Sequence, residues 1–154
     1  MNEYEFITLI LIPLTSVLLV AIVTWTGVQQ HRLAKNKFKL DMFEKQFAVY
    51  KGVQEFLTSI LQDGKFSFDK FFEFRRKTQD STFLFGKEIH QYIEDIDKKS
   101  LELSSVAEMY KPLPVGQERS ELCRKETLLL GELIDELPKL TEVFAPYLRF
   151  YKWK

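Results

Sequence analysis

The chain has 154 residues, enough for one domain, with 22 basic and 22 acidic side chains and a formal net charge of zero. Basic residues are interspersed with acidic ones, which argues against extended nucleic-acid binding. The lone cysteine, Cys123, excludes an intramolecular disulfide framework and suits a reducing compartment.

Charge is unevenly placed along the chain. From Phe6 to Gln30, 25 consecutive residues carry no charged side chain. As a helix such a run measures roughly 37 Å, against a hydrocarbon core of about 30 Å. Glu3 and Glu5 precede it in place of a basic region, and no A-x-A site follows, so a cleaved signal peptide does not fit. The pattern predicts a retained single-pass transmembrane anchor over residues 1–31, with the lipid bilayer as a partner. His31, Arg32, Lys35, Lys37 and Lys39 follow the run, and no lysine or arginine precedes it. The positive-inside bias then places the amino terminus outside and residues 32–154 in the cytoplasm. Trp25, Arg32, Lys35, Lys37 and Lys39 are the expected membrane-interface residues.

The expected fold class is all-α: this transmembrane helix followed by an antiparallel cytoplasmic four-helix bundle. Leu40, Phe43, Phe47, Tyr50, Val53, Leu57 and Ile60 recur at spacings of three and four, predicting a long amphipathic helix over about 34–61 that stops at Asp63-Gly64. With no Pro or Gly between Gly27 and Gly52, the anchor and this helix are expected to be nearly continuous. In "KFSFDKFFEFRRKTQD", Ser67 is placed to cap a second helix whose inward face is Phe68, Phe71, Phe72 and Phe74. A run of phenylalanines also suits a ligand pocket or a partner surface. After Gly86, Ile89, Tyr92, Ile93, Ile96, Leu101, Leu103, Val106 and Met109 line a third helix, and "KPLPVGQE" breaks it with two prolines and a glycine. Leu122, Leu129, Leu130, Leu133, Ile134 and Leu137 stripe a fourth, which Pro138 should kink or restart from Lys139. Short loops between four helical segments imply an antiparallel bundle. The tail "RFYKWK" would then lie at the membrane end, either against a headgroup region, which its composition suits, or frayed and packed on its own bundle.

The stretch "KLDMFEKQFAVYKGVQEFL" (Lys39 to Leu57), followed by "FLFGKEIHQYIEDIDKKSLEL" (Phe83 to Leu103), resembles a group of bacterial proteins with "KLDLFEKRFxVYxxxxxFL" and "FLFGxxIxxYL" blocks. The resemblance implies a bacterial origin and an inner-membrane location, and carries over no catalytic residue. Gln46 stands where a basic residue is more usual in that group.

There is no phosphate-cradling glycine loop, G-x-S-x-G elbow, H-E-x-x-H or C-x-x-C, and neither a cofactor nor a metal is expected. Cys123 reads as a small residue of a helix, or as a thiol without a matching base. Glu94, Asp95 and Asp97, before Lys98 and Lys99, read as a solvated helix face. His90 lies a turn from Lys87 and Glu94, where it is a helix side chain or a ligand to something bound. Arg75, Arg76 and Lys77 either complement the dipole at the end of a short helix or bind phosphates or anionic headgroups. The candidate ligand-binding residues are therefore Arg75, Arg76, Lys77 and His90.

Two functions are compatible with this pattern. The first is a non-enzymatic inner-membrane protein whose bundle binds a partner protein or self-associates. The second is a ligand-gated membrane effector of a bacterial antiviral system, oligomeric and responsive to an anionic nucleotide, an analogy of architecture alone.

Overall fold

A computed structural model of the protein describes Tyr4 and residues 12–149, with side chains from Leu14 onward. Among the described residues the structure is helical, without strands: α1 (Ile12–Asp63), α2 (Phe68–Thr78), the four-residue α3 (Ser81–Leu84), α4 (Lys87–Tyr110) and α5 (Gln117–Leu148). The chain divides into two compact units, residues 1–41 and 42–154.

The expectation of a transmembrane anchor is corrected. Among the described residues, no helix is long and apolar enough to cross a membrane. The physical reason is that charge-free is not the same as apolar. Between Ile12 and Gln30 the helix carries Thr15, Ser16, Thr24, Thr26, Gly27, Gln29 and Gln30, and charged residues begin directly after His31. Residues 6–11, the apolar head of the run, lie outside the described residues. The single-pass, inner-membrane placement goes with the anchor. Trp25, Arg32, Lys35 and Lys37 are exposed on α1 and Lys39 is partly buried there. Residues 150–154 of "RFYKWK" also lie outside the described residues.

Within residues 42–154 the helices pack side by side as a bundle. α2 runs antiparallel to α1, since Lys77 lies on Gly52 while Phe74 and Phe71 meet Phe56 one turn further along α1. α5 runs antiparallel to α4, since Tyr92 pairs with Glu136, Lys99 with Glu132, and Glu102 with Lys125. The core draws Val49, Val53, Phe56, Leu57 and Ile60 from α1, Phe71 and Phe74 from α2, five residues of α4 from Ile89 to Val106, and Leu129, Leu133, Leu140 and Phe144 from α5. Each set recurs at three- and four-residue spacing, so one stripe of every helix is removed from water.

α1 ends where Gly64 adopts φ +61° and donates its N–H to the Ile60 carbonyl at 2.9 Å, a conformation glycine reaches without Cβ strain. Ser67 occupies the N-cap position of α2, but its hydroxyl makes no capping bond. The inward face of α2 is narrower than its sequence suggests: Phe71 and Phe74 are buried, whereas Phe68 and Phe72 are exposed. At about 100° per residue, Phe71, Phe74 and Thr78 cluster on one side, and Phe68 and Phe72 sit about a quarter-turn away. There they stack on one another at 6.3 Å, with Phe66 edge-on to Phe68 at 4.9 Å. On α1 the buried stripe includes Gln46, Val49 and Phe56 in addition to the expected Val53, Leu57 and Ile60, while Phe47 remains exposed. Pro138 neither stops nor restarts the last helix, because α5 continues through it. Burial of Leu133 and Glu136 before it and Leu140 and Phe144 after it holds the helical path across the missing backbone donor.

The two sequence blocks meet in the core. Gln46, from the first, donates its amide to the Leu84 carbonyl, in the second, at 2.8 Å. Phe85 packs edge-on against Phe144 and Tyr147, both at 5.3 Å. Gln46 is thus turned into the bundle, and its Oε1 is buried without a hydrogen-bond partner.

Candidate functional site

A groove of about 410 Å³ lies where the end of α2 passes the start of α4, over the α3 turn. Arg75, Arg76 and His90 line it together, with Gln79, Thr82, Ile93, Glu94 and Asp97. Three of the four candidate ligand-binding residues therefore share one site. The fourth, Lys77, lines a separate groove of about 470 Å³ between α1 and α2, with Glu55, Glu73 and Lys70.

The three consecutive basic residues have different partners. Arg75 reaches α4 and grips Asp97 with both forks, Nε to Oδ1 and Nη2 to Oδ2, each at 2.6 Å. Its guanidinium also lies 4.7 Å from the Phe71 ring centroid, within cation–π range. The Asp97 hydrogen bond raises the Arg75 pKa further above its ordinary value. Lys77 reaches the other way, to Glu55 on α1 at 2.6 Å and to Glu73 on its own helix at 2.9 Å. Hydrogen bonds to Glu55 and then Glu73 raise the Lys77 pKa, and the bond from Lys77 holds the Glu73 carboxyl below its ordinary 4.5. Arg76 is exposed and shares no ion pair among the described residues.

His90 is held between two neighbours. Its Nδ1 lies 3.2 Å from the Thr82 hydroxyl and its Nε2 lies 3.5 Å from Glu94, one turn along the same helix. The Glu94 neighbour is legible in sequence as an i,i+4 pair, while Thr82 is brought in by the Gly86 turn. The sequence places Asp97 on a solvated helix face, and nothing local signals its pairing with Arg75 across 22 positions. The floor of the groove is Ile93, a buried core residue. Arg75 is paired with Asp97, while Arg76 and Glu94 line the same groove, so its charge is mixed.

A second polar cluster lies between α4 and α5. Glu136 is 9 % exposed, and its Oε1 stands 3.3 Å from both Lys99 and Lys139. The Tyr92 hydroxyl donates to the Glu136 backbone carbonyl at 3.1 Å. Burial first, then the Glu136 charge and hydrogen bonding, raise the Tyr92 pKa. These contacts satisfy one another and tie the two helices together. Cys123 is partly buried on α5. Among the described residues no group of three His, Cys, Asp or Glu side chains is placed to hold a metal ion. No known protein family, curated protein or solved structure matches the chain.

Proposed function

We propose that the protein is a non-enzymatic helical bundle that self-associates, with the amino-terminal part of α1 as the contact between copies. The observation that carries this reading is the apolar surface of that helix. Between Leu14 and Leu33, ten large apolar side chains are each 48 to 71 % exposed, among them Leu18, Val20, Ile22 and Trp25. A contiguous apolar surface of this kind marks a place where something else packs.

Two of the polar residues among them turn their hydroxyls back onto the helix. Thr24 turns its hydroxyl back to the Val20 carbonyl at 2.8 Å, and Thr26 to that of Val23 at 2.9 Å, leaving their methyls outward. Fully burying a Leu, Val or Ile side chain is worth about 1.5–3 kcal/mol, so half-covering ten of them yields on the order of 10 kcal/mol. Association itself costs about 4–15 kcal/mol, so the surface is large enough to offset most or all of that cost. A second copy is the simplest occupant, because exposed apolar side chains on a largely uncharged helix segment pack on their own kind without matched charges.

Sedimentation equilibrium of the full chain over a range of concentrations tests the reading. Dimers or larger species are expected, shifting toward monomer on dilution. Leu18→Lys with Ile22→Lys, one turn apart on the same face, should move the equilibrium to monomer while the helical circular-dichroism spectrum stays. A wild-type chain that is monomeric at every concentration would rule the reading out.

A further inference from the structure

We propose that the groove between the end of α2 and the start of α4 binds a small organic anion, with its carboxylate or phosphate on Arg76 and its apolar body over Ile93. This inference concerns the bundle alone and does not depend on self-association through α1.

Arg76 is singled out by elimination. Of the three adjacent basic residues, Arg75 is occupied by Asp97 through two 2.6 Å bonds, and Lys77 by Glu55 and Glu73. Arg76 lines the groove, is exposed, and makes no salt bridge within 4.0 Å among the described residues, its charge acting only at longer range on Glu73, which Lys77 already holds. An unengaged guanidinium presents parallel N–H donors that match a carboxylate or a phosphate. Around it stand groups suited to the same ligand: the Gln79 amide, and the Thr82 hydroxyl beside His90.

The acidic residues of the groove narrow the ligand class. Asp97 is paired with Arg75, and Glu94 is half-exposed, with His90 at 3.5 Å and Lys98 at 3.7 Å. One unpaired cation beside a carboxylate suits a single anionic group better than a polyphosphate, whose second and third charges would meet Glu94. The Ile93 floor favours a ligand with an apolar body, and about 410 Å³ accommodates one aromatic ring with one anionic substituent.

Phenyl phosphate and benzoate serve as probes for the two headgroup chemistries, with inorganic phosphate and phenol as their separate halves. In heteronuclear NMR titrations of the full chain, saturable shifts of the Gln79, Thr82 and His90 signals are expected with at least one of the aromatic anions, and which of the two binds more tightly identifies the headgroup. Each half alone should bind more weakly than the joined molecule. Arg76→Gln should weaken binding roughly tenfold or more, the loss of one charge-assisted contact, whereas Lys77→Gln should leave it unchanged. Absence of saturation at millimolar probe, equal affinity for phenol, equal affinity for inorganic phosphate, or an Arg76→Gln variant that binds like the parent would each overturn the proposal.

Discussion

Gly52 lies inside α1 where α2 crosses closest, and substituting it tests how tightly the two helices are apposed. A Cβ built on Gly52 would stand 2.7 Å from Lys77 Cβ, 3.3 Å from its Cδ and 3.6 Å from its Cγ. Carbon atoms settle at about 3.5–4.0 Å, so the nearest contact is short by roughly 1 Å. Lys77 Cβ is fixed to the α2 backbone and cannot swing away, so the helix itself must shift. That shift loosens the Phe56–Phe74 stack, whose centroids are 4.7 Å apart, and stretches the Lys77–Glu55 ion pair. Overpacking of this kind costs about 1–3 kcal/mol, set against about 0.8–1 kcal/mol gained on replacing a helical glycine by alanine. Gly52→Ala should therefore destabilise by about 0–2 kcal/mol. Gly131, inside α5, supplies the control, because nothing lies within 4 Å of its Cβ position. Gly131→Ala should keep the helix gain and stabilise by up to about 1 kcal/mol. Urea unfolding followed by circular dichroism, with all variants at one protein concentration, measures the difference. If Gly52→Ala stabilises the chain as much as Gly131→Ala does, the close approach of α2 to α1 is wrong.

Asp97→Asn releases Arg75 into the anion groove. Because the pair is partly solvated, unfolding should show a loss of no more than about 1 kcal/mol, while calorimetric titration with phenyl phosphate should show tighter binding than in the parent. Glu136→Gln leaves Lys99 and Lys139 without their shared carboxylate, but both can turn to water, so the expected cost is about 1–2 kcal/mol. Glu136→Leu should be no worse, since a buried charge is replaced by apolar packing, and a larger loss for leucine than for glutamine in urea unfolding would contradict this account of the cluster. Stability should fall on the alkaline side: the hydroxyls of Tyr92, Tyr110 and Tyr147 all have pKa values raised above 10.0 in the folded chain. Their contribution is complete below pH 10.0 and is lost as pH rises through the folded values. Tyr92→Phe should flatten this limb in urea midpoints measured against pH, and an unchanged slope would show that the Tyr92–Glu136 contact does not matter. On the acid side the sign reverses for Glu73, whose lowered pKa gives a contribution present above 4.5 and lost as pH falls through the folded value.

Periodicity carried most of the fold. Spacings of three and four located the helices, Gly64 marked the end of α1, and the two prolines and glycine of the 111–116 loop separated α4 from α5. What the pattern does not contain is the exact rotation of each stripe. Leu40 and Phe47 fit the α1 repeat as well as Val49 and Phe56 do, but only the latter are buried in the bundle, because the neighbours that choose between overlapping stripes come from distant segments. Among the described residues the anchor prediction fails for a related reason: a count of charges treats threonine, glycine and glutamine like leucine, although burying an unpaired polar group carries a cost of its own. Pro138 does not restart the helix because local helix-breaking is weighed against burial on both sides, and that burial is set by tertiary packing.

The basic triplet shows how far a sequence cluster can differ from a cluster in space. Successive residues of a helix point about 100° apart, so three adjacent cations on α2 cannot converge on one ligand. Arg75 turns to α4 and Lys77 to α1, each meeting carboxylates on a different element. Both hold α2 in place, since each links it to a neighbouring helix, and their charges are largely spent on that. Arg76, pointing between them, is the residue whose loss should leave the fold intact and alter what the surface binds. A triple substitution would confuse the two roles, whereas single substitutions separate them: Arg75 and Lys77 should register in unfolding, and Arg76 in titration with anions.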